Sequence, residues 1–303
     1  MHAERRQLDA QRWHFTHGPI DLVIEADGDA DAVAAAHADA WARFEALLVE
    51  LVGELPTLRT PIAPIDGPCT LRGVIARRMW QACAPFGARQ FITPMAAVAG
   101  AVADEIIAFY RRPGIARAWV NNGGDIALHL AAGQHARVGL FADLAQFDVR
   151  QTDAIATDGQ FDIHAHQPVR GVATSGWRGR SFSLGIADSV TVLAATAAQA
   201  DAAATVIANA VNADDAAIRR LPANECKDDS DLGGIAVTVG VPPLAPDTVR
   251  HALDAGVARA ESLRRDGLAW AAVLVCQGQW RLVEPLCSLT LPAPGDAVGS
   301  VFA

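Results

Sequence analysis

At 303 residues the chain is long enough to bury a large core, as one big domain or as two intimate subdomains. A composition 51% hydrophobic and 19% charged excludes a disordered chain. The net charge of −9 and pI near 5.4 exclude a broad nucleic-acid-binding face, although a local basic pocket is still allowed.

The opening stretch, "MHAERRQLDAQRWHFTHG", carries charges where a signal peptide would have its apolar centre. No run approaches the roughly 18 apolar residues of a membrane span. The expectation is a cytoplasmic protein with neither a membrane nor a nucleic acid as partner. Five cysteines (Cys69, Cys83, Cys226, Cys276 and Cys287) are scattered without a CxxC, so zinc-ribbon and thioredoxin spacings are absent. Cys276 ends the apolar run "WAAVLVC" and reads as a buried thiol.

In chain order, "PIDLVIEA" at 19–26 predicts a strand, followed by an alanine-rich helix over 29–54 with Trp41, Phe44, Leu47, Leu48 and Leu51 on one face. The Pro-rich stretch at 56–70 reads as a loop or subdomain crossing. A helix is expected over 92–114: Thr93 can cap it, Pro94 suits its first position, and Pro113-Gly114 stops it. Its start is a run of small residues, which lets something pack against the backbone; close packing of helix on sheet is the bland alternative. A meander follows, with strands at "ARAWVN", "DIALHLA" and "HARVGLFA". The polar stretch 151–168 reads as a surface excursion. Further on come a loop centred on "TSGWRGRS", a strand at 189–194, a helix at 197–212 and a polar linker over 213–234. The remaining elements are strand 235–241, helix 246–265 and strands 269–276 and 279–284. Helices and meanders mixed in this way predict an α+β fold rather than a doubly wound parallel sheet.

Several stretches carry residues suited to chemistry. In "WVNNGGDIALHL" the Asn-Gly-Gly turn supplies the positive φ angles of a hairpin. Its two glycines would also let a phosphate or a ring approach the backbone. Asp201 and Thr205 stand four apart on a predicted helix, so an acid and a hydroxyl share one face. Both are hard oxygen donors of the kind magnesium takes. The bland alternative makes Asp201 a first-turn acid and Thr205 incidental. The loop "TSGWRGRS" gathers two glycines, two hydroxyls, Arg178 and Arg180, and reads either as an anion cradle or as a solvated connection. His164 and His166 share a face if extended, and a surface strand is the reading adopted for them. No dinucleotide fingerprint, P-loop, GxSxG or HExxH occurs.

Taken in order, "AVAGAVAD" at 97–104, "NNGGDI" at 121–126, "TSG" at 174–176 and "ADAAAT" at 200–205 resemble the motifs of the ApbE-like superfamily, whose named members are FAD:protein FMN transferases. The resemblance is greater to that superfamily's uncharacterised cytoplasmic branch, through "TPMAAVAGAVAD", "GVATSG" and "ADSVTV". It implies a single ApbE-like domain over 1–303, with mixed sheets, packed helices and two intimate subdomains. It also implies magnesium together with FAD, FMN or another nucleotide. Asp201, Thr205 and the carbonyl of Val98 become expected magnesium ligands. Asn121, Gly123, Gly124, Asp125, Thr174, Ser175, Gly176 and Arg180 become expected nucleotide contacts.

The chain departs from the pattern in two places. The family's lysine is replaced by Ala99, and the histidine with its Asp-Pro tail is missing, Arg180 standing near its place. Arginine stabilises phosphate charge but does not act as a base. The resemblance therefore implies FMN transfer from FAD to an acceptor protein only if another group, such as His129 or His164, substitutes. The alternatives are an enzyme or accessory factor of sulfur or cofactor metabolism on the same scaffold, and a non-catalytic binding partner. A homo-oligomer is compatible with all of these.

Overall fold

A computed structural model describes residues 2–9, 11–62, 69–140, 159–228, 230–283 and 289–290. Three strands open the chain, β1 (Glu4–Gln7), β2 (Arg12–His17) and β3 (Ile20–Gly28), followed by α1 (Ala30–Gly53), the single turn α2 (Leu55–Leu58) and α3 (Val74–Gly87). A 3-10 turn, Pro94–Ala97, leads into α4 (Val98–Ile107) and a second 3-10 turn, Ala108–Tyr110. Next come β4 (Ile115–Asn122), β5 (Asp125–Leu130), β6 (His135–Leu140), β7 (Gly159–His164), β8 (Gly171–Ser175) and β9 (Ser189–Ala194). The rest comprises α5 (Ala197–Ala210), β10 (Arg219–Pro222), α6 (Ala223–Cys226), β11 (Ala236–Gly240), α7 (Pro246–Arg265), β12 (Ala271–Cys276), β13 (Gln279–Val283) and β14 (Leu289–Thr290).

Nine strands form one antiparallel sheet in the order β1-β2-β3-β4-β5-β8-β9-β12-β13. A three-stranded sheet, β14-β7-β6, and the ribbon β10-β11 complete the strands. Helices and antiparallel sheets are thus mixed, as the α+β expectation holds.

Strand alternation sends side chains to opposite faces of the large sheet. On one face Leu22, Val120, Ala127, Ala173 and Val192 join the apolar faces of the helices in a single cluster. On the other, Val23, Trp119, Leu128, Val172 and Leu193 join Val138, Phe161 and Ile163 of the small sheet. The central strands are covered on both faces, which explains their near-continuous apolar runs.

Helix α1 follows its sequence signals closely. The Asp29 carboxylate accepts from the amides of Asp31 and Ala32, and Phe44, Leu47 and Leu51 are buried. Thr93 caps its turn as expected, its hydroxyl accepting from the Met95 amide. The helix predicted over 92–114 is shorter, however, with α4 ending at Ile107, and Gly114 turns the chain at φ +88° into β4. The expected small-residue contact is helix on helix: a Cβ at Gly100 would lie 2.3 Å from the Ala197 carbonyl oxygen.

Other expectations are corrected. Residues 159–164 are not part of a surface excursion: they form β7, because Phe161 and Ile163 alternate into the second core. The part of that excursion at 151–158 lies outside the described residues, as does Cys287. The linker at 213–234 contains β10 and α6, and the "TSG" segment is the end of a strand rather than wholly loop. The four described cysteines are unpaired. Cys276 is buried, and burial followed by the Asp188 charge pushes its thiol up to about 12. No described helix is long and apolar enough to cross a membrane.

Candidate functional site

The hairpin turn between β4 and β5 is the centre of the site. Gly123 and Gly124 have φ angles of +66° and +112°, and the Gly124 amide donates to Asn121 Oδ1 at 2.8 Å. Asn122 Nδ2 donates to the Ala99 carbonyl at 3.1 Å, tying the turn to the first turn of α4. One residue further on, the Gly100 amide donates to Asp201 Oδ2 at 3.0 Å, which ties α4 to the middle of α5. The Arg180 guanidinium lies over Gly123, where a Cβ would sit 2.3 Å from one of its nitrogens. A side chain there would have to displace the flexible end of Arg180, and the positive φ favours glycine independently.

The expected residues divide between the two faces of the sheet. Asn122 and Asp125 are direct partners in the β4–β5 register, and alternation places both, with Ser175, on the helix-covered face. Asp201 and Thr205 meet that face from α5, each partly exposed. Val98, the first residue of α4, is partly exposed two positions before Gly100. Asn121 and Thr174 point to the opposite face, where the Thr174 hydroxyl meets that of Thr191 at 2.9 Å. The Asn121 side chain is fully buried, and its Nδ2 has no partner among the described residues. Gly176 is buried against the Asp188 carbonyl, and the exposed Arg180 is the cation that reaches the turn. Arg178 instead lies 4.9 Å over the Trp177 ring and 4.0 Å from Asp188.

Two carboxylates share this corner. Burial pushes Asp125 up to about 7, although a backbone bond from Thr174 and the charge of Arg180 oppose the shift. Burial and then the Asp125 charge hold Asp201 well above the usual carboxylate range, against the amides of Gly100 and Ala99. Water screens such a pair poorly once it is packed between helix and sheet. The bland reading of Asp201 fails, because the first turn of α5 contains no acid. That turn is served by Asp104, which accepts from the amides of Ala197 at 3.1 Å and Ala198 at 2.9 Å.

Sequence reasoning missed Asn122 as the tie to α4, Asp104 as the acceptor of the first two amides of α5, whose N-cap is Thr196, and the buried Cys83, whose thiol is raised by burial and then by Asp201. It also missed the second role of Thr93, whose hydroxyl donates to Asp231 Oδ2 at 2.5 Å and anchors the 213–234 segment beside the start of α4. Asn122 stood in plain view in "NNGGDI", but nothing local says which of two adjacent asparagines faces the helices.

The histidines stand elsewhere. His129 lies near the far end of β5, about 13 Å along the strand from Asp125, where its Nε2 meets the Ile115 carbonyl. His164 belongs to the small sheet, opposite His135 in register. Ring centroids there are 5.7 Å apart for His135–His164 and 5.5 Å for His164–His166, so a third imidazole joins the expected pair. Among the described residues, no group of three or more His, Cys, Asp and Glu is placed to hold a metal ion.

Comparison with known proteins places residues 4–282 on the family model described as AbpE bacteria. A UPF0280 protein of Methanopyrus kandleri is 37% identical over 205 residues, covering 66% of this chain and 75% of the relative. A UPF0280 protein of Methanospirillum hungatei is 30% identical over 234 residues, covering 76% and 84%. The apo crystal structure of the Pseudomonas stutzeri flavinyl transferase ApbE overlaps 93% of this chain and 94% of that one, with a TM-score of 0.45 and 13% identity. With a family model spanning nearly the whole chain and relatives sharing most of their length with it, the chain belongs to the AbpE bacteria family.

Proposed function

We propose that this protein binds a flavin or another phosphate-bearing nucleotide together with magnesium, and that it transfers FMN from FAD slowly or not at all. The observation that carries this reading is the corner where Asp201, on α5, accepts from the Gly100 amide of α4 and lies close enough to Asp125 of β5 to feel its charge, with Thr205 one helical turn further on. Two carboxylates, a hydroxyl and the nearby Val98 carbonyl are hard oxygen donors, a set that fits magnesium better than a soft metal. Asp201 and Thr205 would hold the ion, with the Val98 carbonyl as a third ligand. Bound there, magnesium would neutralise part of a nucleotide's phosphate charge.

The chain's own groups supply the rest. Gly123 and Gly124 leave room for a ligand beside the backbone, and Arg180 brings a permanent positive charge over that turn. Transfer is a different matter. It needs a group that takes a proton from the attacking hydroxyl, and neither His129 nor His164 stands near the corner. That separation favours binding over rapid transfer, and no acceptor protein is required by it.

The test combines binding with turnover. Titration with FAD or FMN should raise the melting temperature only when magnesium is present. Asp201→Asn should weaken that shift about tenfold or more in ligand concentration while leaving the fold intact, since its amide oxygen can still accept from Gly100. Thr205→Ala should act in the same direction. Release of AMP from FAD should be about 10²–10⁴-fold slower than for a transferase with its acid–base group in place. Equal, magnesium-independent shifts in all three proteins would dismiss the metal corner, and rapid covalent flavinylation of an acceptor peptide would dismiss the binding-only reading.

A further inference from the structure

A second concave site lies at the opposite end of the same strands. A cavity of about 790 Å³ opens between the start of β4, the end of β5, and the segments at 111–114, 170 and 195–196. The eight residues of β4, Ile115 to Asn122, separate it from the glycine turn by about 23 Å. Its lining contains Arg111, Arg112, Arg170 and His129 but no carboxylate, in a chain whose net charge is −9.

The arginines are not equivalent. Arg112 is engaged by Asp39 at 2.8 Å. Arg170 is half-buried and, among the described residues, held by neutral acceptors: its Nη1 donates to the carbonyls of Gln167 at 2.9 Å and Val169 at 2.6 Å, and its Nη2 to that of Ala165 at 2.7 Å. These bonds lock the guanidinium without cancelling its charge. Arg111 is exposed and makes no ion pair among the described residues. The acid that feels it, Asp104, is buried against the amides of Ala197 and Ala198 and does not line this cavity.

The like charges act on one another. Burial and then the Arg111 charge lower Arg170 below the usual arginine range. His129 is lowered by burial, and Arg111 and Arg170 add to that effect against its bond to the Ile115 carbonyl. Two guanidiniums beside an imidazole that burial keeps toward its neutral form, in a lining without a carboxylate, leave positive charge uncompensated on this side, and a multiply charged anion would offset it. Pro113, Ile115 and Leu128 give the cavity an apolar wall beside its basic one.

From the Arg111–Arg170–His129 cavity we infer that this protein has an anion site, separate from the glycine turn and independent of magnesium, that takes a small organic anion bearing a phosphate or a pair of carboxylates. Arg111 is its mobile clamp, Arg170 its fixed cation, and His129 its hydrogen-bonding wall.

Pyrophosphate and citrate, each titrated without magnesium at physiological salt, distinguish the two anion chemistries. Binding is read by calorimetry and by the His129 imidazole proton resonances, assigned with His129→Gln. Saturable binding in the micromolar to millimolar range is expected for at least one probe, with the His129 resonances moving along the same isotherm. Arg111→Glu, a change at an exposed position, should weaken binding about tenfold or more, whereas Asp201→Asn should leave it unchanged. Binding equally tight in wild type and Arg111→Glu, or no saturable binding of either probe at tens of millimolar, would overturn the proposal. Loss of binding in Asp201→Asn with retention in Arg111→Glu would assign the anion to the glycine-turn site and overturn it as well.

Discussion

At the scale of single residues, the buried histidine His37 gives the clearest solution signature outside either site. It is 8% exposed, its Nδ1 meets the Tyr110 hydroxyl at 2.7 Å, and burial lowers its pKa from 6.5 to about 4. The folded state therefore binds fewer protons than the unfolded state between those values. Its contribution to stability is fully present above pH about 6.5 and is lost as the pH falls toward 4. A tenfold difference in proton affinity between the two states is worth about 1.4 kcal/mol, so up to about 3 kcal/mol is at stake. Urea midpoints measured from pH 7.5 to 4.5 should fall steeply for the wild type and less steeply for His37→Gln, which keeps a polar partner for Tyr110. Parallel curves for the two proteins would show that His37 titrates alike in both states.

At the scale of elements, the decisive contact is α4 against the N-terminus of α5. Gly100 removes the side chain that would collide with Ala197, and that close approach lets Asp104 receive two of the amides that a helix start leaves unbonded. Asp104→Ala should cost about 2–4 kcal/mol, since it leaves the amides of two buried residues without their acceptor. Asp104→Asn, retaining one acceptor, should cost roughly half as much. Equilibrium unfolding in urea measures both, and a loss under about 0.5 kcal/mol for the alanine variant would count against the capping role. The small-residue run was legible in the sequence as a place of close approach, because glycine and alanine leave room whatever the partner. That the partner is another helix, and that Asp104 caps it, was not legible: the capping pair is 93 positions apart, and no local pattern reports contact at that distance.

For the molecule as a whole, the sheet order sets a gradient of stability. Strand β1 lies at an edge with all four residues exposed, whereas β4, β5 and β9 are central and covered on both faces. Amides of β1 should exchange with deuterium within minutes, while those of Trp119, Val120, Leu128 and Val192 should require near-global opening and exchange several orders of magnitude more slowly. Uniform protection across the sheet would contradict this. Strongly periodic or well-capped segments could be read directly from the residues. Asp29 begins α1, the alternation in "DIALHL" makes β5, and positive φ at the glycines closes the hairpin, because each rests on local sterics and a short repeat. The motifs in register also placed the turn, Asp201 and Thr205 on their elements. Tertiary structure alone decided that Asn122 and Asp125 lie on the helix-covered face while Asn121 and Thr174 turn away, that His129 stands far from the glycine turn, and that Arg111 and Arg170 share a cavity. Those outcomes depend on strand register and on which helix packs on which face. Chain segments about a hundred residues apart settle both through burial and backbone pairing, to which a local sequence pattern is blind.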